Sequence, residues 1–244
     1  MRSEEKSVLL SIVVPTLDAA SHLPACFAAI AEGQRLARDC GVIAPDIELI
    51  VADGGSADDT VALAGQWGAR VIAAPRGRGS QLAAGADVAN GDWLLFLHAD
   101  TRLADNWLCA VSGHINNPAN PGMAAAFRFV LDDPSRAARF LESAVAWRTR
   151  ALALPYGDQG LLVSRNFYRA LGGFGKDPLM EDVDIVCRIG AARLRRLDAA
   201  AITSAARYRE GKAGWILRPL RNLSCLSLWF LGLPAPMIAR LYGR

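Results

Sequence analysis

Residues 8–18 read VLLSIVVPTLD. A short, continuous apolar run rich in Val and Ile, closed by Pro15 and followed at once by Asp18, is the pattern of a strand buried on both faces of a parallel sheet. The pattern recurs downstream. IELIVAD (47–53) predicts a second strand, which runs into Asp53-Gly54-Gly55-Ser56; ARVIAA (69–74) predicts a third, and DWLLFLHAD (92–100) a fourth that ends on Asp100. Between them, 21–39 carries helical periodicity with Ser21 as its N-cap, Asp58-Asp59 start a helix through about Trp67, and RGSQLAAGADVA (78–89) forms a third helix. This alternation of strand and helix predicts an α/β fold with a doubly wound, mostly parallel sheet and helices on both faces.

The second half is less regular. MAAAFRFVL (123–131) predicts a strand, 134–150 a helix, GLLVSR (160–165) a strand followed by a short helix to Leu171, and Glu181 to Arg193 a further helix after the loop GGFGKDP. No repeat or low-complexity linker divides the chain. Residues 1–211 are therefore expected to form one α/β domain, and 212–244 a C-terminal amphipathic helical tail. In that tail the apolar stretch from Leu223 to Leu233 is shorter than the about 20 residues that cross a bilayer. Arg218, Arg221, Arg240 and Arg244 flank Trp229 and Phe230, which suits either an interfacial segment on a membrane surface or packing against the domain or a second subunit as a homodimer.

Composition excludes some classes of function. The net charge is only +3 and no basic block alternates with aromatics, so nucleic acid is not an expected partner. Five cysteines, an odd number without C-x-x-C spacing, argue against a disulfide framework or a zinc site and for buried thiols in a reducing compartment. The N-terminal MRSEEKSVLL lacks the charge and length of a secretory leader, so a cytoplasmic location is expected, with the inner face of the plasma membrane as a peripheral site.

Asp18, Asp53 and Asp100 each stand just past the C-terminal end of a predicted strand, and Glu181-Asp182 follow far downstream. In open α/β sheets that edge is where ligands bind. With PTLDAA, VADGGSADDT, LHADT and MEDVD in this order, the chain resembles the family 2 inverting glycosyltransferases of the GT-A fold. RGRGSQLAAGA and FLHADTRL resemble most closely the selenoprotein- and radical-SAM-associated bacterial transferase subgroup. The resemblance spans roughly residues 8–210 and implies a nucleotide-sugar donor, with UDP foremost, and a divalent metal, Mn²⁺ or Mg²⁺. It does not specify the acceptor, a lipid-linked one included.

On this resemblance Pro15, Thr16, Asp18, Asp53 and Gly54 would bind the base and ribose. Asp53 can accept from the uracil N3–H where the glycines allow close approach; equally, it can be a turn-forming aspartate before the helix near Asp58, and Asp18 can cap the helix near Ser21. Arg76, Arg78 and Gln81 sit at a Gly-rich helix start suited to an anion, or are solvated loop residues. Asp100 would hold the metal. The family usually has an acid two positions earlier, where this chain has His98, a second ligand, a hydrogen-bonding group for ribose or diphosphate, or a polar core residue. Asp182 would be the general base and Glu181 its orienting partner, the bland alternative being an acidic first helical turn. Asp158 and Gln159 would hold acceptor or sugar hydroxyls, and Arg207 the diphosphate. Two competing readings are a related nucleotidyltransferase, though VVPTLDAAS lacks the glycine-rich basic segment that class places after its first strand, and a catalytically dead GT-A protein that serves as a binding or membrane-docking module.

Overall fold

The computed structural model describes residues 8–175, 177, 179–209 and 214–242. The chain begins with β1 (Leu9–Thr16), α1 (Leu23–Asp39), β2 (Asp46–Asp53), α2 (Thr60–Gln66), β3 (Arg70–Ala73), α3 (Arg78–Val88) and β4 (Trp93–Phe96). It continues through β5 (Thr101–Leu103), α4 (Trp107–Ile115), β6 (Ala124–Leu131), α5 (Arg136–Leu152), β7 (Leu161–Ser164), α6 (Arg165–Ala170), α7 (Glu181–Ile189) and β8 (Leu194–Thr203). The C-terminal part is helical: α8 (Ala206–Arg209), α9 (Gly214–Phe230) and α10 (Ala235–Tyr242).

The strands form one sheet in the order β3-β2-β1-β4-β7-β6-β8-β5. The first four are parallel, as the apolar runs predict, and β6 runs parallel to β8; β7 is antiparallel to both of its neighbours, and β5 is antiparallel to β8. Chain order leaves β1 outward to β2 and β3, then returns to β4 on the other side of β1. That reversal opens a crevice between the carboxyl ends of β1 and β4. Only residues 97–100 connect β4 to β5, although the two strands lie four positions apart in the sheet. Four spacings of about 4.8 Å make roughly 19 Å if flat, more than the roughly 17 Å that five residues can reach. The second half of the sheet therefore curls back, and His98 to Asp100 bridge its two halves.

Side-chain alternation in β1 feeds two cores. Leu10, Ile12 and Val14 pack with Val51, Leu95, α1 and α4 on one face, and Val13 packs with Ile50, Leu94, Phe96, α3, α6 and α7 on the other. A third, smaller cluster joins Phe129 and Leu131 of β6 to Ala138 and Val145 of α5, with Tyr208 and Trp215 against it.

Several boundaries differ from expectation. α1 is capped by His22, not Ser21, with a proline in its first turn. β4 ends at Phe96 instead of running to Asp100, because its partner β7 pairs only as far as that residue. α7 stops at Ile189, where Gly190 takes a left-handed φ of 78°. β5, α4 and β8 lie in segments to which the sequence reading assigned no element. Cys40 and Cys187 are exposed, not buried.

α1 and α4 meet at a point that admits no side chain. A Cβ on Gly33 would lie 1.9 Å from Trp107 Nε1, and Trp107 is fully buried. Helix propensity alone favours alanine here by about 1 kcal/mol, yet overpacking typically costs about 1–3 kcal/mol. Gly33→Ala is therefore expected to lower the urea-unfolding midpoint; an unchanged or higher midpoint would contradict this α1–α4 contact.

Candidate active site

A cleft of about 900 Å³ runs along the sheet edge at the β1/β4 crevice. Its walls are Pro15 to Ala19 after β1, His22, Arg76 to Arg78 and Gln81 at the start of α3, and His98 to Asp100 after β4. Pro236, Ala239 and Arg240 of α10 complete it. A smaller cavity of about 160 Å³ adjoins it, lined by Tyr156, Asp158, Leu179 to Val183, Thr203, Ser204, Tyr208, Arg218 and Asn222. Arg78, His98 and Asp100 line both spaces and so stand at their junction.

Arg78 is the electrostatic centre of this junction. Its guanidinium lies 3.4 Å from Glu181. Burial works against its charge, while Glu181 and, more weakly, Asp182, Asp100 and Asp158 favour it, so its pKa stands above the usual arginine value. Helix α3 can bring Arg78 this close only because position 79 is glycine. A Cβ there would meet the Gly175 carbonyl oxygen at 2.3 Å and Glu181 Cβ at 3.2 Å.

Asp182 enters α7 through Met180, whose left-handed φ of 68° turns the chain sharply before Glu181. Both oxygens of Asp182 accept a backbone hydrogen bond: Oδ2 from Gly157 N at 2.9 Å and Oδ1 from Val183 N at 2.8 Å. Gly157 is also where His98 packs, since a Cβ on it would lie 2.6 Å from His98 Nε2. Asp158, next in the chain, has its pKa pushed up to about 6, first by burial and then by the Asp182 and Asp100 charges, against the opposing pull of Arg148 and Arg78. Asp158 Oδ1 is buried without a hydrogen-bond partner among the described residues.

The strand-end aspartates behave differently from one another. Asp53 does not line either space. Its Oδ1 accepts from Thr16 Oγ1 at 2.8 Å and from Ser56 Oγ, and its Oδ2 from Gly55 N and Ser56 N at 2.9 Å each. Burial raises its pKa, but these donors outweigh it and hold the carboxyl below the ordinary range. Four donors occupy about as many lone-pair sites as a carboxylate has, so a base would have to displace one of them. This is the turn-forming arrangement. Asp18 does face the cleft; with φ 49° it accepts from Ala57 N at 2.8 Å and does not cap α1. Gln81 clamps the strand ends, its Nε2 donating to Thr16 O at 2.6 Å and Ala52 O at 2.8 Å, while Gly54 packs beside it.

Gln159 does not reach the cleft, contrary to expectation. It is buried, its Nε2 donates to Phe127 O at 3.0 Å and its Oε1 accepts from Thr149 Oγ1 at 3.1 Å. Its polar character ties the turn after Tyr156 to β6 and α5. The backbone of Arg207 belongs to α8, but its side chain lies outside what the structure describes. Sequence reasoning did not single out His22 and Tyr156, which neighbour the motif residues in the chain, or Arg218, Asn222 and the α10 wall with Arg240, which reach the two spaces through packing of distant elements.

Among the described residues no three His, Cys, Asp or Glu gather as a metal cage. What the chain offers is the Asp100 carboxylate, with His98 beside it, at the mouth between the two spaces. A single carboxylate there suits a hard divalent ion that takes its other oxygens from a diphosphate and water. A thiol has no part in this chemistry: Cys26, behind His98, is pushed up to about 12, first by burial and then by Asp100.

Residues 11–200 match the family described as Glycosyl transferase family 2. A PGL/p-HBAD biosynthesis glycosyltransferase of Mycobacterium bovis is 39% identical over 102 residues, which are 39% of this chain and 36% of the relative. The match thus spans about a third of that curated relative. Among solved structures, S. aureus TarS 1–349 in complex with UDP superposes with a TM-score of 0.62 at 12% identity, covering 94% of this chain and 68% of that one. Glucosyl-3-phosphoglycerate synthase from Mycobacterium tuberculosis, in complex with Mn²⁺, UDP and glucosyl-3-phosphoglycerate, superposes with a TM-score of 0.55 at 20% identity, covering 93% and 81%. At these identities the structures share the fold.

The raised Asp158 pKa has a consequence for stability. The folded protein binds this proton more tightly than the unfolded chain, so the contribution is present below the ordinary aspartate value of 3.8 and is lost as pH rises through about 6. Asparagine cannot ionise. Asp158→Asn is expected to raise the melting temperature relative to wild type at about pH 7.5, with the gap narrowing toward about pH 4.5. A gap of equal size at both pH values, in thermal unfolding of the two proteins, would show that Asp158 is not the group that titrates.

Proposed function

We propose, for a chain that belongs to glycosyl transferase family 2 and is a glycosyltransferase of GT-A-like fold, that it transfers a sugar from a UDP-sugar donor to a hydroxyl acceptor with inversion, assisted by a divalent metal. The reading extends to the selenoprotein- and radical-SAM-associated subgroup, supported by the resemblance of RGRGSQ and FLHADTRL. The observation that carries the proposal is the junction itself: a long cleft rich in strand-end and helix-start groups meets a small carboxylate pocket at Arg78, His98 and Asp100. A nucleoside diphosphate fits the first space and an acceptor the second, with the anomeric carbon between them.

In this assignment Pro15, Thr16 and Asp18 contact base and ribose. Asp53 and Gly54 act from behind, by holding Thr16, Ser56 and Gln81 in place. Arg76 and Arg78, at the start of α3, face the diphosphate with bidentate donors and the positive end of the helix, and Arg207 is assigned to the same anion. Asp100 would hold Mn²⁺ or Mg²⁺, with His98 as a supporting ligand; when bound, the ion supplies positive charge to the departing diphosphate. Asp182 takes the proton of the acceptor hydroxyl as that oxygen bonds to the anomeric carbon. The bond from that carbon to the diphosphate oxygen breaks, and its electron pair leaves with UDP. Backbone donors from Gly157 and Val183 fix the Asp182 carboxylate, and each oxygen keeps a lone pair for the acceptor. Glu181 positions the assembly through Arg78. Asp158 holds acceptor or sugar hydroxyls, and the tail contributes the wall at Arg240 and a surface for a membrane or a second copy.

UDP release from a panel of UDP-sugars, with water as the slow acceptor, tests the base. Asp182→Asn should keep UDP affinity in calorimetry and lower release by on the order of 10²–10⁴; release at the wild-type rate would remove Asp182 from the reaction and turn attention to Asp158. The metal assignment is tested separately. Asp100→Asn is expected to abolish most of the Mn²⁺-dependent part of UDP binding and leave the metal-free part in place. Should His98→Ala do this while Asp100→Asn does not, the histidine is the main ligand.

A further inference from the structure

The inner and outer faces of the C-terminal helices have different chemistry. On α9, Arg218 and Asn222 turn into the small carboxylate pocket, and Cys225 and Leu226 are buried. The opposite side exposes Ile216, Leu217, Leu220, Leu223 and Phe230, each more than half accessible to solvent, and Leu231 and Met237 extend the exposure past the end of the helix. Spacings of three and four residues place the α9 group on one stripe. From Gly214 to Tyr242 the chain has no aspartate or glutamate, whereas it has Arg218, Arg221 and Arg240. Helix α5 repeats the pattern. Phe140 and Trp147 are exposed on it together with Arg136, Arg139 and Arg150, and its single acid, Glu142, pairs with Arg139; Arg148 turns inward over Tyr156. The two helices border the same buried cluster, where Val145 and Leu141 of α5 pack with Trp215 of α9.

We infer that this face, formed by the outer stripes of α9 and α5, docks on the surface of an anionic lipid bilayer. Apolar stripes with aromatic residues and an arginine excess are the composition of interfacial helices, and no helix among the described residues is long and apolar enough to cross a membrane. Charge selects the occupant. In a twofold contact between copies the same patch would face itself, setting Arg136, Arg139 and Arg150 against the same three with Glu142 as the one acid of α5. Anionic headgroups answer these three, each basic side chain near such a surface contributing about 1 kcal/mol. The pocket wall and the docking stripe are opposite sides of α9, so the carboxylate pocket would open about one helix diameter, roughly 10 Å, from the lipid surface. The docking claim does not depend on the donor or the metal proposed above.

Full-length protein is to be sedimented with vesicles of pure phosphatidylcholine and with vesicles containing phosphatidylglycerol. Wild type should pellet with the anionic vesicles only, and Leu220→Glu combined with Leu223→Glu should lower the bound partition coefficient by about tenfold or more, since two leucines lose their apolar burial. Phe140→Ser, on α5, should weaken binding independently of any change in α9, and an unchanged melting temperature shows that each variant is folded. Wild-type protein that stays in the supernatant with phosphatidylglycerol vesicles overturns the inference. So does a dimer that the double leucine variant dissolves while vesicle binding stays at the wild-type level, because a second copy is then the occupant. Loss of UDP binding by wild type, with vesicle binding intact, would refute the donor reading and leave this one standing.

Discussion

The interaction on which the site depends is the pairing of one arginine with four acids. Asp100, Asp158, Glu181 and Asp182 come from three separate parts of the chain, and all four act on the Arg78 charge. Like charges gathered in a partly dry cavity repel strongly unless a cation sits among them. Arg78 is that cation, and the fold is arranged to deliver it: α3 begins at Arg78, the absence of a side chain at Gly79 lets the helix start press against Glu181 and the Gly175 carbonyl, and Gln81 ties the same turn to the ends of β1 and β2. The strain is not fully relieved. Asp158 has its pKa pushed up to about 6, first by its burial and then by the Asp182 and Asp100 charges, against the pull of Arg148 and Arg78.

Much of this was legible in the sequence for a specific reason. β1 and the second half of β2 are buried apolar runs with breakers at their ends, so composition and length identify them. The aspartates that follow β1 and β4 fall on the ligand-bearing edge because parallel strands share one direction. β8 went unread because LRRLDAAAIT places arginine, aspartate and three alanines where a strand signal would need β-branched residues; its pairing with β6 and β5, not its own propensity, makes it a strand. β4 was read too long because the apolar run continues past the last paired residue. A period argument sees hydrophobicity, whereas the strand ends where its hydrogen-bonding partner does.

Gln159 was misread for a definite cause. Gln159 and Asp158 are adjacent in a loop that plainly borders the site, and a sequence gives no way to tell which of two neighbours points inward. The backbone turn decides: Asp158 faces the pocket, and Gln159 satisfies the Phe127 carbonyl in the interior. Asp53 is the opposite case. Its position at a strand end before two glycines suited either a base contact or a turn, and its four donors make it the clasp between two loops. Arg218, Asn222 and Arg240 escaped notice because they lie far along the chain from every motif, and only the packing of α9 and α10 brings them to the clefts.

Joining the two spaces at Arg78 has a chemical consequence under the proposed function. Without a donor the guanidinium is engaged by Glu181. A diphosphate entering the long cleft competes for the same guanidinium, and an arginine shared between two anions holds each less tightly than it would hold one. The carboxylates of the small pocket then regain part of their mutual repulsion, which favours uptake of a proton by that cluster. The acceptor hydroxyl is the proton source that the reaction requires Asp182 to accept. Under the proposed function, donor occupancy and the carboxylate cluster would thus be coupled through the Arg78 side chain.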